Sequence, residues 1–585
     1  MAIRVQILHK DNKIVGFVDG GGLTSFKNTA EHAKNAFFVV ATEINGNKSI
    51  PIAYILTRGL QASQITDVLA KCLHAMHNAG GKVISITFDG LPANFKAMES
   101  MGANFELGTE RFKTFIEHPS TNERIYLMPD SSHMFKLVRN NFKACKILKN
   151  GKDEVINWGF IARLQEIQDF EGVRAGNKLT KAHVQFERKK MNTRLMAHTL
   201  SHSSSTGITT CRVLNIDGFQ GSEATCEFLD TCDKLFDMFN SKSRGIGLKT
   251  PMKNSNSAIW APFLKEAKEY FLTLQCKPKG KDQYTPVYKT TKGTFVKGIV
   301  TNYMLCYRYL PTYRQSQDPI EILFGKFRAR LGFNNNPNSV QLEHALKATL
   351  CYSIHACTTG NCIELDELSN RINPMRNLTA WGAECEEDEA VDEGKEVDDA
   401  TFALLQDLPS FDNLSLFVEN VVVYIAGFVG KRLQKSLKCS QCKSLLVPEN
   451  LDNLKLRSDY VLLNTKNRGG LFCPSADLIK VCMIAEKKIR VNLAMGLSKV
   501  SGAMIEHAVV QTCLDSVFEN SYSEHEISDL SKYEKMIGHR TTLVREITKY
   551  YITIRLHYAA KLKSSELVAE KKRSFYNKLG HFQGY

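Results

Sequence analysis

Apolar and polar positions along the first 130 residues change their period in a regular way. IRVQILHK (3–10) and KIVGFVDGG (13–21) read as two strands around Asp11-Asn12, a hairpin signal. AFFVVATEI (36–44) and IPIAYIL (50–56) predict further strand. From Gln61 to Ala79, Ile65, Val68, Leu69, Cys72, Leu73 and Met76 fall at helical spacing, and Gly80-Gly81 closes the helix. KVISITFDG (82–90) is an apolar, β-branched run ending in Asp-Gly, the pattern of a buried strand with a residue at its carboxyl mouth. RIYLMPDSSH (124–133) repeats it.

From about 140 to 305 strand signals fade and amphipathic helical text takes over, with a Lys/Gly/Tyr/Thr-rich loop near 277–297. TYRQSQDPIEILFGKFRARLG (312–332) then starts a well-marked helix. Its Ile320, Leu323, Phe324, Phe327 and Leu331 form a face suited to packing on a sheet. The text after 401 reads as mainly helical, with a small Cys-containing hairpin. Strands alternating with helices define an α/β class, and that order alone suits several α/β folds.

Length and charge sharpen this picture. At 585 residues the chain exceeds what one core organises, so two to four domains are expected. A net charge of +15 favours a polyanionic partner such as nucleic acid. Glu384 to Asp399 hold ten acids against one Lys, which leaves about +24 on the remainder and marks a solvated linker. The 16 cysteines follow no paired framework, as expected of a reducing intracellular compartment. No apolar run reaches about 18 residues, so no membrane span is expected. No short basic cluster stands out as a nuclear import signal.

Three acids are candidates for chemistry. Asp89 follows ITF and precedes Gly90, where a carboxylate projects into the crevice at strand ends or merely caps an Asp-Gly turn. Asp318 and Glu321 share a helix face at three-residue spacing. They also read as a capping box with Asp318 as N-cap and Pro319 as first helical residue. Both roles are compatible, because a cap fixes the helix start and hence the carboxylate. Acids of this kind suit hard Mg²⁺, and two such ions about 4 Å apart can drive in-line phosphoryl displacement.

ITFDGLPAN (86–94), YLMPDSSHMFKLVRNN (126–141), CDKLFDMFNS (232–241) and SQDPIEILFGKFRARLGFNNNPNSVQ (316–341) resemble, in order, the hallmark blocks of P element-type DNA transposases. YIAGFVGKRL (424–433) and GGLFCPS (469–475) resemble the C-terminal region of that family. The resemblance implies an α/β RNase H-like core interrupted by a GTP-binding insertion and using an acidic triad with Mg²⁺. The layout expected from it is core over 1–140, helical insertion over 141–305, core helix with the third acid over 306–360, acidic linker over 361–400, and C-terminal helical region over 401–585. It makes Asp89 the second catalytic and metal-binding acid and Glu321 the third, with Asp318 beside it. The first belongs on or beside the opening strand in an Asp-Glu-Met context. Since the chain opens at Met1 with AIRVQILHK, that acid is either Asp19, which also reads as an Asp-Gly turn, or a residue ahead of Met1.

For GTP the resemblance points to Lys181, Lys190, Ser201 and Asp237, with Asp318 near the nucleotide. Asp suits guanine and Lys suits phosphate as a point charge. No GxxxxGK[ST] loop is present, so composition alone does not call for GTP, and Asp237 also reads as a helix-surface acid. Cys439 and Cys442 form a CxxC, and Cys473 and Cys482 are spaced too widely for a Zn²⁺ knuckle, which favours a structural or unoccupied site. No Cys/His finger pattern opens the chain, so the family's THAP finger is not expected within it. Phosphate contacts from Lys136, Arg139, Lys143, Arg328 and Arg330 are candidates, as are plain surface charges. DNA, a homo-oligomer and a nuclear location follow from the resemblance. The activity expected is metal-dependent DNA cleavage and strand transfer; the alternative is a domesticated, catalytically inactive binding or assembly protein.

Overall fold

The computed structural model describes residues 1–10, 13–23, 25–26, 31–44, 48–176, 178–241, 248, 250, 252–278, 280, 282–303, 309–310, 316–332, 334–354, 413–448, 457–494, 496, 500–513, 516–518 and 540–560. The hairpin turn at 11–12 and the acidic linker therefore lie outside the described residues. The chain divides into two compact units. One comprises Met1–Trp158, Lys189–Ser201 and Glu227–Asn377; the other comprises Gly159–Arg188, His202–Cys226 and Leu378–Tyr585.

The first unit opens with a short antiparallel hairpin, β1 (Leu8–Lys10) and β2 (Lys13–Val15). β3 (Asn35–Thr42) and β4 (Ser49–Thr57) form a longer antiparallel ladder, as their alternation predicts. Helix α1 (Ala62–Asn78) buries Ile65, Val68, Leu69 and Leu73, and the chain leaves it through Gly80 at φ +77°. β5 (Ser85–Phe88) is followed by α2 (Pro92–Ser100), whose first-turn Pro starts it. β6 (Phe115–Glu117) and β7 (Arg124–Pro129) complete a three-stranded sheet in the order β5-β7-β6, with β5 and β7 parallel.

These strands sort the side chains into two cores. On one side, β5, β6, β7, α1 and α2 gather Phe88, Phe95, Phe105, Ile125 and Leu127. On the other, Ala36 and Phe38 of β3 meet α11 (Asp318–Arg330) and α12 (Ser339–Ile354) through Leu323, Phe327 and Leu342. Phe324 and Leu331 are packed against this second core, so the apolar face expected of the helix is the face it buries.

Among the described residues β3 and β5 belong to separate sheets. Between them lies a slot of about 830 Å³, lined by Val39, Ile65, Leu69, Ile86, Pro319 and Ile320 among others. Residues 1–3 bond the β3 edge, with Ala36 N donating to Met1 O at 2.8 Å and Ile3 N to Lys34 O at 2.9 Å. Because β4 bonds the opposite edge of β3, Met1 sits on the slot side.

Helix α3 (Ser131–Cys145) leads from β7 to β8 (Ile147–Lys149) and β9 (Val155–Asn157). With β11 (Gln275–Cys276) and β12 (Thr285–Pro286) they form a small sheet in the order β12-β11-β8-β9. Sequence patterning misses it, because strands of two or three residues have no readable period. The unit also holds α6 (Thr193–Thr199), most of α8 (Glu223–Phe239), α9 (Ser257–Thr273), α10 (Thr294–Tyr303), and the strand pair β10 (Met252–Lys253) and β13 (Tyr309–Leu310).

The second unit combines α4 (Gly159–Glu171), α5 (Lys181–Val184) and α7 (His202–Val213) with α13 (Leu416–Ser436), α14 (Ser440–Ser444), α15 (Val461–Lys466), α16 (Ala476–Ala494), α17 (Gly502–Cys513) and α18 (540–560). The expected Cys-containing hairpin is not a hairpin: Cys439 is the N-cap of α14, its sulfur accepting from Cys442 N at 3.5 Å. Gly427 and Gly430 of α13 are required because the 469–475 segment crosses them. A Cβ at Gly430 would lie 2.4 Å from Phe472 Cε1, and one at Gly427 2.6 Å from Phe472 O. Glu486 of α16 is fully buried and accepts from Arg555 Nε at 2.7 Å, Arg555 Nη2 at 2.8 Å, Tyr551 at 2.8 Å and Arg490 Nε at 3.1 Å. Although burial works against the charge, Arg555 and Arg490 hold the Glu486 carboxyl down to about 2. Arg490 also donates to Glu171 O at 2.6 Å, fastening the end of α4 to α16.

Candidate active site

Two parallel strands end side by side, and each ends in an acid. The β5–β7 register pairs Phe88 with Pro129, which makes Asp89 and Asp130 neighbours. Asp130 N donates to Phe88 O at 2.7 Å. Asp89 Oδ1 accepts from Leu91 N at 2.9 Å and from Asn94 Nδ2 at 2.7 Å, so Asp89 caps its turn at the carboxyl end of β5.

Asp130 is the acid that sequence reasoning passed over, although RIYLMPDSSH shows the same strand-then-acid pattern as KVISITFDG. It is the N-cap of α3, its Oδ2 accepting from His133 N at 3.2 Å. Only 3% of it is exposed, and Oδ1 is buried with no hydrogen-bond partner. Burial pushes the carboxyl up to about 6, Asp318 and Glu321 push it the same way, and Lys136 opposes them. The first turn of α11 thus lies within electrostatic reach of Asp130. His133 is held below its ordinary value by burial while the Asp89 charge partly restores it, which ties Asp89 into the same cluster.

Helix α11 does not start as a capping box. Its N-cap is Gln317, Asp318 is the first helical residue, and Asp318 N donates to Ser316 Oγ at 3.3 Å. The Asp318 and Glu321 carboxylates are exposed at the first turn, where the helix dipole favours anions. The Met1 ammonium donates to Ala36 O at 2.9 Å. Burial lowers its proton affinity, the Arg328 charge lowers it further, and the Asp89 charge raises it. Arg328 Nε is buried without a partner.

Asp19 is not part of this cluster. It bonds backbone to backbone with Leu56 of β4 at 2.9 and 3.2 Å, and its carboxylate accepts from Gly21 N at 2.9 Å. β4 and β3 separate it from Met1, a span of about 14 Å at strand spacing.

Among the described residues, no three His, Cys, Asp or Glu side chains form a group that could hold a metal ion. This covers the acids above and Cys439, Cys442 and Cys473 alike. Cys482 lies elsewhere, beside Cys513 and Glu486. The acids nonetheless fit a hard cation in kind: all donors are carboxylate oxygens, and Asp130 Oδ1 is buried without a hydrogen-bond partner.

The nucleotide candidates divide between the units. Lys181, the first residue of α5, is exposed in the second unit beside the Thr180–His183 contact of 2.8 Å. The others belong to the first unit, where α3 is a common spine. Ser131 Oγ donates to Phe239 O at 3.5 Å, which brings the α8 end bearing Asp237 next to Asp130. Arg139 Nη2 and Asn140 Nδ2 donate to Lys190 O at 2.7 and 3.3 Å. Ser201 Oγ donates to His198 O at 2.8 Å, at the turn after α6.

Two of the candidate phosphate contacts are corrected. Arg139 has no exposed surface and spends its guanidinium on Asn140, Lys190 O and Asn192 O, and Lys136 is 4% exposed near Asp130. Neither reaches a phosphate on the surface. Lys143 and Arg328 are half-buried and Arg330 is exposed.

Acids at the ends of two adjacent parallel strands, with the first turn of α11 within electrostatic reach, suit an RNase H-like core. Sequence comparison gives the same class. Residues 1–102 match the TNP-like RNase H N-terminal domain, 132–251 the TNP-like GTP-binding insertion domain, 313–347 the TNP-like RNase H C-terminal domain, and 413–561 the C-terminal domain of DNA transposase THAP9. The human DNA transposase THAP9 is 24% identical over 511 residues, 83% of this chain and 54% of that protein. The Drosophila melanogaster transposable element P transposase is 25% identical over 427 residues, 70% of this chain and 51% of that protein. The Drosophila P element transposase strand transfer complex aligns with a TM-score of 0.49 at 19% identity, over 61% of this chain and 76% of that one. The chain belongs to the P element-type transposase family and is transposase-derived. It spans about half the length of the curated relatives it matches. Among the described residues no helix is long and apolar enough to cross a membrane.

Proposed function

We propose that the first unit is the catalytic body of a DNA transposase, cutting and joining phosphodiesters with a divalent metal. One observation carries this reading: Asp89, Asp130, Asp318 and Glu321 come from three separate segments to one end of the sheet, and Asp130 holds a buried, unpartnered oxygen there. Asp89, Asp130 and Glu321 would hold Mg²⁺ only by drawing closer than they stand here, where no three form a metal-holding group among the described residues, with Asp318 lowering the cost of the cation's charge. When bound, the metal supplies activation of a water or 3′-hydroxyl and stabilisation of the leaving oxygen. The chain's own residues set the stage: α3 and α11 fix the acids by their first turns, and the buried Lys136 tempers the repulsion around Asp130. DNA as substrate, GTP in the insertion through Lys190, Ser201, Asp237 and Lys181, a dimer holding two DNA ends, and a nuclear location belong to the same proposal.

The test is Mg²⁺- or Mn²⁺-dependent cleavage and strand transfer on plasmid and oligonucleotide DNA, comparing wild type with Asp89→Ala and Glu321→Ala. Activity in the wild type, lost in both variants, supports the reading. A second reading is a domesticated, inactive DNA-binding protein, favoured by the absence of a metal-holding group among the described residues. DNA binding without any metal-dependent cleavage would select it.

A further inference from the structure

Where α3 ends, a second reactive group has been built, remote in sequence from the acids. Cys145 is the last residue of α3, half-buried, and Cys276 lies in β11 with 1% exposure. The pairing of β8 with β11 sets Cys276 opposite Leu148, three residues after Cys145, and the two thiols interact electrostatically. Lys292 Nζ stands 3.3 Å from Cys145 Sγ. The small sheet itself thus carries Cys276 back to the end of α3.

The loop that brings Lys292 is rigidly held. Asn141, one helical turn before Cys145, donates to Lys292 O at 3.1 Å. Lys292 N donates to Thr290 Oγ1 at 3.2 Å, and Thr290 Oγ1 donates to Val287 O at 2.7 Å. Gly293 lets the chain turn there, since a Cβ would lie 2.6 Å from Tyr288 Cα. One short, internally bonded loop thus places an ammonium on Cys145.

We propose that Cys145 and Cys276 form a peroxide-reactive dithiol that closes reversibly into a disulfide, with Cys145 as the attacking thiolate and Cys276 as the resolving thiol. The Cys145 thiolate attacks one oxygen of a hydroperoxide; the O–O bond breaks, the leaving oxygen takes a proton and departs as water or alcohol, and Cys145 becomes a sulfenic acid. Cys276 sulfur then attacks Cys145 sulfur, releasing water and forming the S–S bond. Sulfur loses two electrons and the hydroperoxide gains them. A small thiol or thioredoxin-type reductant reverses the reaction.

The electrostatics agree with this division of roles. The neighbouring Cys276 thiol and the Lys292 charge hold Cys145 below the ordinary thiol range, against the opposing effect of burial. Cys276, buried beside Cys145, is pushed up. The carboxyl end of a helix disfavours an anion, so Lys292 is what makes a thiolate tenable at this position. The disulfide would close a loop of about 130 residues and join the end of α3 to β11. It is independent of the proposed DNA chemistry.

The test treats the full chain with hydrogen peroxide near neutral pH and maps non-reduced peptides by mass spectrometry. A Cys145–Cys276 linked peptide is expected in the wild type, absent from Cys145→Ser and reversed by a thiol. Cys276→Ser should instead accumulate a Cys145 sulfenate that a dimedone probe traps. Lys292→Met should slow alkylation of Cys145 at neutral pH about tenfold by lowering its thiolate fraction. Peroxide that leaves both thiols alkylatable overturns the proposal, as does equal dimedone trapping in wild type and Cys276→Ser. An unchanged Cys145 alkylation rate in Lys292→Met removes the role of the lysine.

Discussion

Replacing Asp130 with Asn should make the protein more stable while costing it metal affinity. The Asp130 carboxyl rises from 3.8 to about 6, and a tenfold change in proton affinity corresponds to about 1.4 kcal/mol, so keeping it ionised costs the fold about 3 kcal/mol above pH 7. At 3% exposure little solvent screening reduces this. Asn caps a helix as well as Asp does, so the bond from His133 N survives the exchange. The sign follows from proton counting. Between about pH 4 and 6 the folded state binds more protons at Asp130 than the unfolded chain, so its contribution falls as pH rises through that window and stays low above it. Urea unfolding of wild type and Asp130→Asn at several pH values from 4 to 8 measures this. The variant should match the wild type near pH 4 and exceed it by up to about 3 kcal/mol at pH 7.5. Adding Mg²⁺ should narrow the gap, since a ligand at a hundred times its dissociation constant stabilises the wild type alone by about 2.7 kcal/mol. A variant less stable at every pH, or one with the wild type's pH profile, would refute the assignment of a strained buried carboxylate.

Other outcomes follow from the same structure. Glu486→Gln should cost the second unit about 3–5 kcal/mol, because Arg555 is left buried beside a neutral partner; chemical unfolding measures it. The Glu486 carboxyl is depressed, so its contribution is present above about pH 4.5 and is lost as pH falls toward 2, a decline that Glu486→Gln should lack. Gly298→Ala should lower the unfolding free energy measured in urea by about 1–3 kcal/mol, since the new Cβ would lie 2.2 Å from Sδ of the buried Met134 and 3.3 Å from Pro129 Cβ. Asp19→Asn should leave the Mg²⁺-induced rise in the unfolding midpoint unchanged; its loss would bring Asp19 back among the metal ligands.

How much of this was legible in the sequence depends on the length of each signal. β3, β4, α1, β5 and β7 are long enough for their period to show, and Asp89 is conspicuous at the mouth of an apolar run. α11 could be read by its buried face, but its cap could not. Gln317 is a poor capping residue on propensity, and Asp318 the better one, yet the backbone places Gln317 first because the acid is already helical. Asp130 sits in plain view as a helix cap, which it is. Its second role depends on Phe88 lying beside Pro129 and on α11 reaching the same spot, and neither fact is local. Arg139 and Lys136 looked like phosphate ligands because charge is legible and burial is not. The four-stranded sheet behind Cys276 is built of two- and three-residue strands that only long-range pairing creates.

The slot between β3 and β5 bears on how this protein behaves as a material. A continuous sheet has two lateral edges, whereas a sheet parted in the middle has four. The inner edge of β5 and the part of β3 beyond its contact with residues 1–3 are flanked by Val39, Val40, Ile84 and Ile86, with few charges to deter a visitor. Natural sheets guard such edges with charge, proline or cover, and unguarded ones recruit extended peptides or further copies. Concentrating this chain, heating it or purifying it beside unfolded protein should therefore expose a stickiness that its net charge of +15 would not foretell. An extended, uncharged-faced segment seated in the slot would be expected to suppress it.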